Sequence, residues 1–173
     1  MSQGTPHALV ALARQSILYY LTQGELLKPP ADLPPDMLEP AGVFVSLKSK
    51  GRLRGCIGTC LPTQPTVALE VLHNAVGAAI ADPRFPPLTL DEVDVVEISV
   101  DVLTQPEPVI HTAQLDPKRY GVIVQAGAHV GVLLPDIPEI TTVEQQLTIA
   151  RLKAGIPPDE PAMIYRFEVN RYH

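Results

Sequence analysis

The chain has 173 residues, of which 46% are hydrophobic and 18% charged, a balance that excludes a disordered tether and suits one domain or two closely joined lobes. Its formal net charge of -6 gives no general attraction for phosphate backbones, so nucleic acid is not an expected partner. No apolar run reaches the roughly 18 residues that a membrane span needs, and we expect a cytoplasmic protein with no membrane partner.

The first part of the chain predicts a helix, a loop and a hairpin. Apolar residues recur every three or four positions over residues 5–24, with Thr5 as the expected cap and Pro6 in the first turn. Residues 26–40 contain five prolines and few periodic apolar positions, which indicates an extended loop. Apolar and polar residues then alternate over residues 43–57, and this pattern predicts a hairpin.

The middle of the chain predicts a second helix and a strand. The helix begins at Pro65, and little of its circumference is polar, so we expect it to be largely buried. It should end at Asp82, because the ring of Pro83 disfavours helical geometry in the residue before it. Residues 93–103 are rich in valine and alternate between apolar and polar side chains, as a strand with one polar face does.

The remaining sequence predicts a further hairpin, a third helix and a last strand. The hairpin covers residues 122–134 with Gly127 near its tip, and Thr141–Glu144 fits a capping box for a helix that ends at Gly155. A last strand is expected over residues 163–169. Roughly six strands and three helices that do not alternate strictly predict an α+β fold with a mainly antiparallel sheet, rather than a doubly wound parallel sheet.

Standard motifs for nucleotides and metals are missing from the sequence. Gly51, Gly55 and Gly58 have neither the spacing of a dinucleotide fingerprint nor that of a P-loop. The five histidines are scattered, so a metal site would have to assemble from distant segments. Cys56 and Cys60 lie too close in sequence for a useful disulfide, and we expect both to be thiols. We therefore predict no metal and no cofactor.

The segment Arg-Leu-Arg-Gly-Cys-Ile-Gly, which begins at Arg52, is the most unusual part of the chain. In a regular strand Arg52, Arg54 and Cys56 would project from the same face, which would place a guanidinium beside the thiol. Positive charge favours the thiolate, and this arrangement suits nucleophilic catalysis. Alternatively, Cys56 is a small buried residue and Arg54 pairs with a carboxylate, such as Glu97 or Asp82, for structural reasons.

Five further polar residues are candidates for the same site. His73 is a possible base if its helix face opens onto the cysteine, and otherwise a boundary residue. Glu97 and Ser99 line one strand face together with Asp101, and this face could orient a substrate or simply be solvated. Asp82 and Arg84 bracket a proline, and they could fix the loop as an ion pair or present charges to a ligand.

Several strings of residues together resemble the AMMECR domain family, whose bacterial members are called AmmeMemoRadiSam system protein A. The resemblance spans about residues 8–170 and is specific because the strings occur in the family's order. The strings are Gly42–Leu47, Leu53–Gly58, Asp82–Leu88, Leu133–Pro135 and Lys153–Ile156. The resemblance implies a compact α+β fold with an antiparallel sheet, packed helices and a smaller lobe, all within a single AMMECR-type domain over residues 1–173.

The resemblance also suggests partners, because the bacterial members are named for occurring with a Memo-like protein and a radical SAM enzyme. It does not supply a reaction. Our first hypothesis is an enzyme or enzyme component that acts on a small molecule or protein, with Cys56 as nucleophile. In this hypothesis Arg54 favours the thiolate, and Glu97 or His73 handles protons.

The alternative hypothesis is a non-catalytic module that docks onto the Memo-like or radical SAM protein. In that case Arg54, Asp82 and Arg84 would be contact or scaffold residues, and Cys56 would serve only packing. Nucleic-acid binding ranks last, because its support is limited to a local basic patch over residues 48–54.

Overall fold

The structure is a computed structural model that describes residues 6–173, so Thr5, the expected cap of the first helix, lies outside the described residues. The chain divides into two compact units. Unit 1 consists of the residues up to Val102 together with Asn170–His173, and unit 2 consists of Leu103–Val169. Each unit contains a four-stranded antiparallel sheet, so the predicted α+β class is confirmed and the strands form two sheets.

Among the described residues the regular elements are four α-helices and eight strands. The helices are α1 (Ala8–Gln23), α2 (Val67–Ile80), α3 (Leu90–Val93) and α4 (Val143–Ala154). The strands are β1 (Val43–Ser49), β2 (Arg52–Thr59), β3 (Glu97–Leu103), β4 (Glu107–Pro108), β5 (Gly121–Ala126), β6 (His129–Leu133), β7 (Met163–Phe167) and β8 (Val169–Tyr172). Short 3-10 helices cover Pro35–Met37 and Thr112–Gln114.

The core of unit 1 lies between its helices and one face of its sheet, in which the strand order is β2-β1-β3-β8. Val45 and Val100 lie opposite each other on this face and are fully buried, and Leu72 of α2 belongs to the same core. Gly55 of β2 allows a close approach of α2, because a Cβ atom there would collide with the carbonyl oxygen of Ala78. Since side chains alternate along a strand, Ser46 of β1, Cys56 of β2 and Ser99 of β3 lie on the other, polar face.

The first helix begins later than the sequence pattern predicts. His7 is its N-cap, and the Nδ1 atom of His7 accepts a hydrogen bond of 3.3 Å from the backbone N–H of Leu9. Pro6 therefore precedes the cap, and its assignment to the first turn is wrong. The predicted end is confirmed, because Gly24 has a φ of 75°, the left-handed conformation that glycine adopts at the end of a helix.

The predicted strand over residues 93–103 is shorter than expected, because β3 begins only at Glu97. The Oε2 atom of Glu92 accepts a hydrogen bond of 2.9 Å from the backbone N–H of Thr89, and this reciprocal cap starts the single turn of α3. Val93 belongs to that turn, and its carbonyl oxygen accepts a hydrogen bond from Arg14 of α1. The valine-rich composition thus covers a helical turn as well as a strand.

Unit 2 has the strand order β4-β7-β5-β6, and α4 packs on one face of this sheet. The predicted hairpin is confirmed as β5 and β6, with Gly127 in the left-handed region at a φ of 57°. The capping box of α4 lies one residue later than predicted. Thr142 is the N-cap, and its Oγ1 atom accepts a hydrogen bond of 3.2 Å from the backbone N–H of Gln145.

The last predicted strand, over residues 163–169, is divided between the two sheets. β7 pairs with β5 in the sheet of unit 2, whereas β8 belongs to the sheet of unit 1. Glu168 lies between them, and its backbone N–H donates to Oγ1 of Thr104 at 2.8 Å. In return the backbone N–H of Thr104 donates to the carbonyl oxygen of Glu168 at 2.9 Å. The sequence pattern continues from β7 into β8 without a break, so it does not show that the two strands belong to different sheets.

Candidate functional site

The pairing of β1 with β2 contains an irregularity at Arg54. Gly55 lies opposite Leu47, and Leu53 lies opposite the next residue, Lys48. Arg54 is therefore an extra residue of β2 without a partner in β1, which is a β-bulge. Bulges redirect side chains and end regular pairing, and this one lies within the most unusual segment of the sequence.

The bulge shifts the alternation of side chains along β2. Cys56 lies opposite Ser46, which is on the polar face of the sheet, whereas Arg52 lies opposite Ser49. Residues opposite each other in a sheet share a face, and Ser46 and Ser49 are an odd number of residues apart. Arg52 and Cys56 therefore lie on opposite faces, and the prediction of one common face for Arg52, Arg54 and Cys56 is wrong because the bulge at Arg54 interrupts the regular strand.

The guanidinium of Arg54 connects β2 to the α2–α3 loop, residues 81–89. Its Nε and Nη2 atoms donate to the two carboxylate oxygens of Glu92 at 2.9 and 3.0 Å, and Nη1 donates to the carbonyl oxygen of Pro86 at 2.9 Å. The Arg54 side chain is only 14% exposed. Its carboxylate partner is Glu92, whereas the sequence pointed to Glu97 or Asp82.

Asp82 forms the second connection between this loop and β2. Its Oδ2 atom accepts a hydrogen bond of 3.0 Å from the backbone N–H of Cys56, on the edge of the sheet that lacks a neighbouring strand. The same carboxylate is paired with Arg84 at 2.8 Å. The hydrogen bond from the Arg84 side chain outweighs burial and holds the pKa of Asp82 well below its usual range. Asp82 and Arg84 therefore form a local ion pair that fixes the loop.

The thiol of Cys56 lies on the polar face of the sheet. Its Sγ atom is 3.2 Å from Oγ of Ser46, and Cys56 is half-buried. The guanidinium of Arg84 is 57% exposed, and its pKa is raised, chiefly by the hydrogen bond to Asp82. Arg84 donates to the same Oδ2 atom of Asp82 as the backbone N–H of Cys56, so this carboxylate links the Arg84 cation to the cysteine residue.

Ser99 and Glu97 share the polar face with the thiol at increasing distance. Ser99 lies opposite Ser46 in the next strand, so Cys56, Ser46 and Ser99 form one row across three strands. Glu97 is two strands and one step along the sheet from Cys56, which corresponds to about 12 Å at normal strand spacing. The structure thus places Glu97 on the predicted face but beyond direct proton transfer to the thiol.

His73 is not brought to the thiol. It is exposed on α2, the helix that packs against the apolar face of the sheet. Cys56 lies on the other face, with Ser46. The helix face of His73 therefore does not open onto the cysteine, which was the condition for its proposed role as a base.

Three contributors to this region were not among the sequence candidates: Ser46, Glu92 and Glu70. Glu92 had a detectable signal, because Thr89 and Glu92 have the spacing of a capping box.

Glu70 is fully buried, and burial alone would raise its pKa. Hydrogen bonds from Thr59 and Thr63 and from backbone N–H groups at 63 and 64 outweigh burial and lower that pKa. These donors lie at the end of β2 and in the segment after it, and no local sequence pattern predicts their contact with Glu70.

Other classes of site find little support among residues 6–173. Cys56 and Cys60 both carry thiols and are not joined to each other. No group of three or more histidine, cysteine or acidic side chains in this range is arranged to hold a metal ion. None of the helices described is both long and apolar enough to cross a membrane.

Comparison with known proteins agrees with the resemblance noted from the motifs. The sequence model of the family described as AMMECR1 matches residues 10–172, which include parts of both units. A protein of Thermotoga maritima is 51% identical over 169 residues, with 96% of this chain and 97% of that protein covered. A protein of Clostridium acetobutylicum is 45% identical over 94% of this chain but over only 35% of its own length.

A solved structure supports the same assignment. The crystal structure of the uncharacterized protein PH0010 from Pyrococcus horikoshii matches with a TM-score of 0.85 and 37% identity. The match covers 94% of this chain and 88% of that chain. The chain therefore belongs to the AMMECR1 family.

Substitutions at Arg54 and Cys56 should differ in their effect on stability. Arg54→Ala removes four hydrogen bonds, including one of 3.4 Å to the carbonyl oxygen of Pro87, and leaves Glu92 without its cation. We expect a loss of about 2 kcal/mol, since Glu92 is partly exposed. Cys56→Ser should cost about 1 kcal/mol or less. Urea unfolding measures both, and Arg52→Ala is the control for loss of an exposed arginine from β2. A larger loss from Cys56→Ser than from Arg54→Ala would identify Cys56 as a packing residue.

Acid should weaken the connection between Arg54 and Glu92. The hydrogen bond from Arg54 is the main reason why the pKa of Glu92 is lowered from 4.5 to about 2. Because the folded-state pKa is below the unfolded one, this stabilisation is present above pH 4.5 and disappears as the pH falls to about 2. Glu92→Gln should therefore reduce stability at neutral pH and make its pH dependence shallower over this interval. Urea unfolding at several pH values tests this, with Asp91→Asn as the matched loss of one carboxylate from α3. A slope equal to that of the wild type would contradict the prediction.

Proposed function

We propose that this protein is a cysteine-dependent enzyme component in which the thiol of Cys56 is the reactive group. The observation that carries the proposal is the position of the thiol, half-buried on the polar face of the sheet and 3.2 Å from Oγ of Ser46, in a residue that Oδ2 of Asp82 links to the guanidinium of Arg84. A hydroxyl and a guanidinium beside a thiol are groups that can stabilise a thiolate and hold an anionic part of a substrate.

The surrounding hydrogen bonds support this proposal by fixing the sulfur. The backbone N–H of Cys56 is bound by Asp82, and Asp82 is in turn bound by Arg84. These contacts hold the backbone of Cys56 at the loop, and a pre-positioned nucleophile needs less reorganisation to react. Ser99 continues the polar row at the next strand and is a candidate for orienting the substrate. The proposed substrate is a small molecule or protein with an electrophilic centre and a negative charge.

The proposed place of action is a system that contains a Memo-like protein and a radical SAM enzyme. The support for this is the family membership and the naming of bacterial members after those companions. Glu97, the carboxylate expected to handle protons, lies about 12 Å from the thiol by strand spacing, and both oxygens of the nearer carboxylate, Asp82, already accept hydrogen bonds from Arg84. We therefore propose that a partner protein or the substrate itself supplies the proton transfer.

A non-catalytic docking module is the second candidate function. Two observations favour it: Arg54 and Asp82 are engaged in internal hydrogen bonds, and the matched region forms only 35% of the relative from Clostridium acetobutylicum. In that relative the domain is joined to a longer chain. By analogy, the same domain in the present protein would work beside a separate polypeptide. In this alternative the exposed guanidinium of Arg84 would contact the partner, and the thiol would have no chemical role.

The local positive charge at the thiol can be tested by alkylation. In a Cys60→Ser background only Cys56 reports, and the ratio of its rates with iodoacetate and with neutral iodoacetamide measures the attraction of an anionic reagent. We expect Arg84→Gln to lower this ratio by about threefold, the effect of one nearby charge at the protein surface. Arg52→Gln is the matched control on the opposite face and should leave the ratio unchanged. Equal ratios in wild type and Arg84→Gln would remove the proposed role of Arg84.

The function itself is tested by complementation. Cells that lack this protein are compared with cells that carry the wild type, Cys56→Ser or Arg84→Gln, by metabolite and protein-modification profiling. We expect Cys56→Ser to fold normally and to behave like the deletion. If Cys56→Ser restores the wild-type profile while Arg84→Gln does not, the docking module is the correct function and the enzyme proposal is wrong.

A further inference from the structure

A polar cavity lies in unit 2, in a part of the molecule that the proposed function does not use. Its accessible volume is about 400 Å³, within the range of small-molecule sites. It is lined by Thr104, Gln105, Glu107, Arg119, Tyr120, Arg166, Phe167 and Glu168. Two arginines and two glutamates within one cavity wall distinguish it from an ordinary surface depression.

The charged groups form two ion pairs, and the arginine of each pair lies over the ring of the same tyrosine. Arg119 pairs with Glu168 at 2.8 Å, and Arg166 pairs with Glu107 at 3.2 Å. The guanidinium carbons of Arg119 and Arg166 lie 5.0 and 4.4 Å from the ring centre of Tyr120. The cavity wall therefore carries two positive and two negative side chains, arranged as two pairs, and their formal charges sum to zero.

The two arginines are suited to bind a carboxylate. Arg166 is only 25% exposed and is held by Glu107, by the ring of Tyr120 and by the carbonyl oxygen of Gln114 at 2.7 Å. Its guanidinium is thus fixed before any ligand arrives. The hydrogen bond of Arg119 to Glu168 uses Nε, and this leaves the four N–H donors of its terminal nitrogens for a bidentate contact.

The two glutamates are suited to bind an ammonium group, and they disfavour a simple anion. The side chains of Glu107 and Glu168 are 66% and 44% exposed, so a ligand can reach both carboxylates. Exposed ion pairs contribute little to stability, and they can exchange partners at low cost. A phosphate or dicarboxylate would gain the arginines but would be repelled by the glutamates, whereas a zwitterion satisfies both signs.

We propose that this cavity binds a free α-amino acid through its main-chain groups, with the carboxylate on Arg119 and Arg166 and the ammonium on Glu107 and Glu168. Both charges of an α-amino acid are carried on one carbon, which matches two ion pairs on one cavity wall. A polypeptide terminus carries only one of the two charges and should bind poorly. The rings of Tyr120 and Phe167 supply apolar surface for the side chain of the ligand.

The test is an NMR titration of the whole ¹⁵N-labelled protein with each standard amino acid in turn. We expect saturable shifts at Arg119, Tyr120 and Arg166 for at least one amino acid. Its N-acetyl derivative, which keeps only the carboxylate charge, and its amide, which keeps only the ammonium charge, should each bind about tenfold or more weakly, the usual loss of one charged contact. Absence of saturable shifts with every amino acid would overturn the proposal, and so would equal binding of either derivative.

Two variants connect the binding to the cavity. Arg119→Gln alters an arginine that is 62% exposed and should fold, and Glu168→Gln removes one of the carboxylates. Each should weaken binding of the same amino acid about tenfold. Lys118→Gln removes an exposed charge from the neighbouring position outside the lining residues and is the control. Unchanged binding in both variants, or an equal loss in Lys118→Gln, would overturn the site. Because Cys56 is not involved, the result is independent of the proposed enzymatic function.

Discussion

The arrangement of β2, the α2–α3 loop and α3 in unit 1 depends on the hydrogen bonds made by the guanidinium of Arg54. One planar group reaches a carboxylate on α3 and a carbonyl of the α2–α3 loop, so an edge strand, a loop and a short helix are held at a single point. Arginine suits this position because its donors are fixed in one plane, whereas a lysine would bring a single point charge. The bulge frees Arg54 from strand pairing and makes these contacts possible.

In the same region, the residues that hold the structure together are different from the residues that we propose to act in chemistry. Arg54 and Glu92 form a largely shielded pair, and Asp82 satisfies an edge N–H that would otherwise lack a partner in the sheet. Arg84 shares the carboxylate of Asp82 yet keeps an exposed guanidinium. Arg54 therefore makes an internal contact, whereas the guanidinium of Arg84 stays accessible from outside. Sequence proximity to the thiol favoured Arg54 as its activating cation, but Arg54 is bound to Glu92, and it is Arg84 that shares an oxygen of Asp82 with the backbone N–H of Cys56.

Local patterns predicted the three longer helices, the hairpins and the polar strand face, because these depend on periodicity and on caps within a few residues, but they missed the single turn of α3. They failed where a single residue changes a long-range relation. The bulge at Arg54 reverses the face of Arg52, and Glu168 separates two strands that read as one. Neither event alters the apolar pattern. The row of Cys56, Ser46 and Ser99 was only partly predictable, because strand register depends on pairing across the sheet and not on spacing along it.

The position of unit 2 between β3 and β8 in the chain has a consequence for the order of assembly. Unit 2 is one continuous segment, whose ends are joined by the hydrogen bonds between Thr104 and Glu168, whereas unit 1 is built from two segments. During synthesis β8 appears only after the whole of unit 2, and until then β3 has an unpaired edge. The sheet that carries the thiol is therefore the later of the two to be completed, although most of its strands are translated first.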